Sequence, residues 1–189
     1  MHQRNLLRSQ IIEAWQQCIA KDYRIQRINS ERSLQASFWS RLNSLLLENR
    51  RMFIEPSILI TIKNEAKRVY PDLVICNTKE VIGVIELKYQ PRVKPNYMKD
   101  VDTLSNIARY RKSISISNHR FRGKPIDEKT YSLSKHILFV WAGVHGGIGL
   151  YANDNEPLYS KGYRVLKNCF LELHAETSKT SSPNIYWRD

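Results

Sequence analysis

From Tyr70 to Tyr89 the chain reads Tyr-Pro-Asp-Leu-Val-Ile-Cys-Asn-Thr-Lys-Glu-Val-Ile-Gly-Val-Ile-Glu-Leu-Lys-Tyr. Two stretches rich in Val and Ile flank the polar Asn77-Thr78-Lys79-Glu80, which reads as a hairpin turn. Each stretch is apolar on both of its alternating faces. Strands of that kind belong in the middle of a sheet that is covered on both sides. This run therefore calls for helices to pack over it.

Helical periodicity supplies them. From about Asn5 to Ala20, residues Leu6, Leu7, Ile11, Ala14, Trp15, Cys18 and Ile19 fall at helical spacing. A second helix starts at Asn29 or Ser30, both good N-caps, and ends near Glu48. It carries Leu34, Phe38, Leu42 and Leu45 on one stripe. A third spans about Tyr97 to Lys112, with Val101, Leu104, Ile107 and Ala108 inward.

Phe53 to Ile62 reads as a strand interrupted or entered by Pro56, and His136 to Ala142 as a buried strand. Between them, Ser113 to Ser134 is polar and basic and is expected to be a surface loop. The glycine-rich run at 143–149 is expected to turn into a strand at Ile148 to Tyr151. A last strand or short helix is expected from Arg164 to His174, and residues 175–189 as a loose tail. The expectation is a single α/β domain over 1–189, with its core at about 29–142.

Charge sits inside the central hairpin, where it is costly unless paired or bound to metal. Glu86 and Lys88 are two apart on a strand, so they share a face with Val84 and Ile82. Asp72 opens the partner strand, and antiparallel pairing across the turn brings it beside Glu86 and Lys88. Two carboxylates that close repel, and burial raises their proton affinity unless a cation compensates. A hard divalent ion resolves this, and near a phosphodiester it can polarise oxygen and activate water. Lys88 then stands where it can orient that water or stabilise developing negative charge. The competing explanation is that Asp72 is a turn residue after proline and Glu86 with Lys88 an edge-strand ion pair.

Pro71-Asp72 followed by Glu86-Leu87-Lys88 on the next strand resembles the signature of the PD-(D/E)XK, or restriction-endonuclease-like, nuclease superfamily. The resemblance covers about Glu31 to Tyr110, with His136 to Ala142 as the next core strand. It implies a restriction-endonuclease-like core in which a central mixed β-sheet is flanked by helices. It also implies Asp72 and Glu86 as metal ligands with the Leu87 carbonyl as a third, Mg²⁺ as cofactor with Mn²⁺ able to substitute, and Lys88 as catalytic lysine. Many members place a glutamate on the preceding helix, a role that Glu31 fits, although a helix dipole favours an acid there whatever its function. Asn106 and Tyr110 have the spacing of the Gln-x-x-x-Tyr pair of exonuclease-like members, with asparagine replacing glutamine.

The partner follows from charge. Thirty Lys and Arg against 18 Asp and Glu give +12, a surface that attracts phosphate backbones. Arg92, Lys94, Lys99, Arg109, Arg111, Lys112, Arg120, Arg122 and Lys124 crowd the stretch after the lysine strand, interleaved with Tyr89, Tyr97, Tyr110 and Phe121. They form a candidate nucleic-acid-binding surface with stacking platforms; a solvated helix face and loop would also account for them.

Three scattered cysteines in no CxxC or Cys/His cluster suggest neither zinc nor a disulfide framework. Neither a signal peptide nor a membrane span is evident, so a cytoplasmic location without a membrane partner is expected. The expected function is a Mg²⁺-dependent DNA endonuclease, with RNA left open as substrate and a homodimer suggested by family analogy. The alternative is a non-catalytic nucleic-acid-binding or scaffold protein of nuclease-like fold.

Overall fold

The Val- and Ile-rich hairpin at 70–89 forms two central strands in the computed structural model, which describes residues 2–62, 65–110, 114–118, 129–146, 163–177 and 182–189. β4 (Leu73–Cys76) pairs antiparallel with β5 (Glu80–Gln90). The turn is fixed by Asn77, whose Oδ1 accepts the N–H groups of Lys79 and Glu80, both at 2.7 Å.

Around these two strands lies a six-stranded mixed sheet. β1 (Arg51–Ile54) flanks β4, β7 (Lys129–Gly146) runs parallel to β5, and β8 (Phe170–Thr177) runs parallel to β7. β9 (Asn184–Arg188) pairs antiparallel with β8. A smaller sheet joins β2 (Ile58–Ile62), β3 (Glu65–Val69) and β6 (Ile114–Asn118) to the first residues of β7. One long strand thus serves both sheets, with a register shift opposite Val81 and Gly83 where it passes between them.

Helices cover both faces of the main sheet, as apolar alternation on both sides of β4 and β5 requires. α1 (His2–Gln17), its π-helical continuation Cys18–Tyr23 and α2 (Glu31–Leu45) bury Leu7, Ile11, Trp15, Leu34, Phe38 and Leu42 against Leu73, Ile75, Ile85 and Leu87. Asp22 binds the π-helical turn to α2 through Arg41 at 2.8 and 2.9 Å and Ser37 at 2.8 Å. The guanidinium beside it holds its carboxyl below the ordinary range. On the opposite face α3 (Met98–Arg109) packs Val101, Leu104 and Ile107 against Val74, Val84, Phe139 and Trp141. The N-terminus of α2 is set by Ser30, which accepts from the Ser33 N–H while the Ser33 hydroxyl accepts from that of Ser30.

Several boundaries differ from the sequence expectation. The strand expected over Phe53 to Ile62 is two strands in different sheets. Glu55 adopts φ 46° and Pro56 has no N–H to donate, so the ladder breaks between them. α2 ends at Leu45, where Leu46 turns extended. β3 is a strand despite its charge, because it lies exposed at the sheet edge and pairs with β2. Within the expected 113–134 loop, Ile114–Asn118 and the start of β7 are strands; residues 119–128 lie outside the described residues.

The expected glycine turn after Ala142 is strand through Gly146. Its first glycine is required by packing, since a Cβ on Gly143 would lie 2.2 Å from Cη2 of Trp141. The strand expected at Ile148 to Tyr151 lies outside the described residues. The 164–174 segment resolves into a 3₁₀ turn at Arg164–Leu166 followed by β8. The C-terminal segment is not loose at 184–188, because β9 finds a pairing edge on β8. Among the described residues no helix is long and apolar enough to cross a membrane.

Candidate active site

The period of two along β4 and β5 puts Asp72, Glu86 and Lys88 on the sheet face covered by α3. Asp72 immediately precedes β4. Its carbonyl accepts from Gln35 Nε2 of α2 at 3.1 Å and from the Glu55 N–H at 3.0 Å. Its Oδ2 accepts the Leu87 N–H at 2.6 Å, which pins the carboxylate against β5. Glu86 is 8 % exposed and hydrogen-bonds to Asp72.

Burial drives both acids toward their neutral forms. Asp72 is pushed up to about 6, with the Leu87 N–H partly opposing the rise. Glu86 is raised well above the ordinary glutamate value by burial and then by the neighbouring charges of Asp72 and Asp100. Placing negative charge on both carboxylates at once is therefore costly unless a cation stands beside them.

Lys88 lies one pleat further along. Burial pulls its ammonium toward neutrality, but Asp100, Glu31 and Asp72 outweigh that pull and raise its proton affinity. Its Nζ is 3.2 Å from Asp100 Oδ2 and 3.8 Å from Glu31 Oε2. Glu31, in the first turn of α2, also accepts the Tyr89 N–H at 3.1 Å. The structure thus brings Asp72, Glu86, Lys88 and Glu31 into one place, at the end of β5 between the N-terminal turns of α2 and α3.

These groups line a cleft of about 970 Å³. Lys67, Arg68 and Tyr70 form part of its wall, and Asn96, Lys99, Asp102, Thr103 and Asn106 another part. Asn106 therefore reaches the cleft, whereas Tyr110 packs against the α3-side core. Of the basic residues expected at a nucleic-acid surface, Lys99 lines the cleft and Arg92, Lys94 and Arg109 are exposed beyond it. Arg111, Lys112, Arg120, Arg122 and Lys124 lie outside the described residues.

Sequence reasoning missed Asp100, Lys67 and Arg68. The signal for Asp100 was available: it stands on the same helical stripe as Leu104 and Ile107, an acid on an apolar face. It is 7 % exposed. Lys67 and Arg68 carried no such signal, because only the pairing of β3 with β2 brings this stretch of chain to the cleft.

Behind the cleft floor, Trp141 separates the acids from a buried polar chain. His145 Nε2 lies 3.1 Å from His174 Nδ1, and His174 Nε2 lies 3.3 Å from Glu172 Oε2. Burial lowers the two histidines to about 4 and about 3, so both are neutral near pH 7.

Among the described residues no three His, Cys, Asp or Glu side chains form a ready-made metal cage. The donors that fit a hard cation are the Asp72 and Glu86 carboxylates, with the Leu87 carbonyl on the same stretch of β5. Mg²⁺ is commonly held by one or two carboxylates and keeps several waters, and a divalent ion relieves the repulsion between two adjoining carboxylates. Comparison with known protein families, with curated proteins and with solved structures gives no match.

Proposed function

We propose that this protein is a metal-dependent DNA endonuclease with a restriction-endonuclease-like core. The observation that carries the reading is the contact between the half-buried Asp72 carboxylate and the buried Glu86 carboxylate, with Lys88 next along the same strand face. A fold has no structural need for that cluster, and charge buried in this way is usually kept for chemistry. Asp72, Glu86 and the Leu87 carbonyl would hold Mg²⁺ or Mn²⁺. When bound, such an ion supplies Lewis acidity toward a phosphoryl oxygen and a water of lowered pKa.

The chain's own groups do the rest. The Leu87 N–H fixes the Asp72 carboxylate, and Glu31, bonded to the Tyr89 N–H, steadies the end of the lysine strand. Lys88 supplies donors for a phosphate oxygen as negative charge grows on it. Lys67, Arg68 and Lys99 on the cleft wall match a polyanionic backbone, and the net charge of +12 favours its approach.

The test is cleavage of supercoiled plasmid in Mg²⁺ and Mn²⁺ with protein in excess, wild type beside Lys88→Ala and Glu86→Ala. Nicking or linearisation by wild type alone is the expected result. Equal activity in all three lanes would overturn the assignment. DNA binding that is the same in EDTA and Mn²⁺, with no cleavage, would favour the scaffold alternative.

A further inference from the structure

The group closest to the Lys88 ammonium is neither Asp72 nor Glu86 but Asp100, whose Oδ2 lies at 3.2 Å. Asp100 sits in the first turn of α3 and is buried, so its carboxylate needs donors to remain there. It has Lys88 on one side and the Trp141 Nε1–H on the other, at 3.3 Å from the same Oδ2.

The indole is itself fixed. It occupies the space above Gly143 that any larger residue would fill, and Tyr97 meets it edge-on at 6.3 Å between ring centroids. His174 lies 5.3 Å from it. A line of contacts therefore runs from β7 to the ammonium. Gly143 admits the ring, the ring aims its N–H, the N–H orients Asp100, and Asp100 holds Lys88. Glu31 is a weaker restraint, more exposed and at 3.8 Å. Lysine has a flexible stem and adopts one orientation only when something holds it.

We infer that Asp100 is a positioning residue for Lys88, aimed by the Trp141 indole N–H, and that it fixes the ammonium beside the Asp72–Glu86 pair. The consequence for catalysis rests on the nuclease reading; the restraint on Lys88 does not.

Two readouts keep these apart. Lysine ammonium ¹H–¹⁵N correlations, assigned with Lys88→Ala, report an ordered and protected ammonium whether or not the protein cleaves DNA. A Lys88 signal is expected in wild type, lost in Asp100→Asn and weakened in Trp141→Phe. Single-turnover cleavage by the same variants is expected to slow by about 10- to 100-fold, as for other groups that orient a site residue. DNA affinity should stay within about twofold, which separates chemistry from binding.

Asp100→Asn keeps the shape and an acceptor for Trp141, and Trp141→Phe keeps most of the ring, so neither effect needs a collapsed fold. An absent wild-type signal, a signal unchanged in Asp100→Asn, or a wild-type rate in Asp100→Asn where Lys88→Ala is inactive would overturn the inference. Loss of cleavage in every protein, wild type included, would count against the nuclease reading, and the ammonium signal would still decide whether Asp100 holds Lys88.

Discussion

Replacing Asp72 with asparagine should make the metal-free protein more stable at neutral pH while abolishing cleavage. In the fold, burial raises the Asp72 carboxyl from its ordinary value of 3.8 to about 6. A group whose folded pKa lies above its unfolded one favours folding while protonated. That contribution is complete below the unfolded value and is lost as pH rises through the folded one. Each tenfold change in proton affinity is worth about 1.4 kcal/mol, so the ionised carboxylate costs the fold about 3 kcal/mol above pH 6.

Asparagine carries no such penalty, and its oxygen can still accept the Leu87 N–H. Its amide must find an acceptor, for which Glu86 is at hand, so roughly 2 kcal/mol should survive as net stabilisation. For a chain of this size that is a rise in melting temperature of about 4–8 °C. The assay is thermal melting by circular dichroism in EDTA, wild type against Asp72→Asn, from pH 4 to pH 8. At about pH 4, Asp72→Asn should be slightly less stable than wild type, because the cost of its amide is hardly offset there. It should overtake wild type as pH rises and hold a level gap above about pH 7. Mn²⁺ should then close it by stabilising wild type alone. A variant less stable than wild type at pH 7.5, or a gap that ignores pH, would refute the reasoning.

Two other perturbations probe the frame and the rim. Gly143→Ala forces a Cβ into the Trp141 ring and should lower stability by about 1–3 kcal/mol in urea denaturation; an unchanged midpoint would contradict the ring's placement. Reversing charge on the cleft wall with Lys67→Glu and Arg68→Glu should weaken DNA binding and flatten its salt dependence by about one unit of slope per lost phosphate contact. Wild-type affinity at low salt would remove that wall from the binding surface.

The convergence of Asp72, Glu86 and Lys88 was legible in the sequence because it needs only a short turn and a period of two. Asn77 closes the turn with its own side chain, so that part of the fold is encoded locally. The break at Glu55-Pro56 was half legible, since proline announces an interruption but not that the chain then enters a second sheet. β3 could not be read, because Glu65, Lys67 and Arg68 look like solvated loop until β2 offers them a ladder. Gly143 and Gly146 misled for a related reason. Glycine signals a turn when judged by backbone freedom, but here one makes room for an indole and the other for the backbone of Arg92 and Val93. Each of these depends on partners distant in the chain.

The register shift in β7 has a consequence of its own. Val81 and Gly83 of β5 face Leu133 and Leu138 of β7, so five steps on one strand answer two on the other. The surplus at Ser134–Ile137 bridges the two ladders and is itself anchored, since Ser134 and Ile137 are buried. A residue gained or lost there would turn Tyr131 and Leu133 out of the core that they share with Phe139 and Trp141. The auxiliary sheet is thus tied to the main one through a common core, in which Ile58, Ile60 and Ile116 pack with Val74, Val84 and Trp141. The wall of the cleft and its floor therefore stand or fall together, and damage to one sheet would be felt in the other.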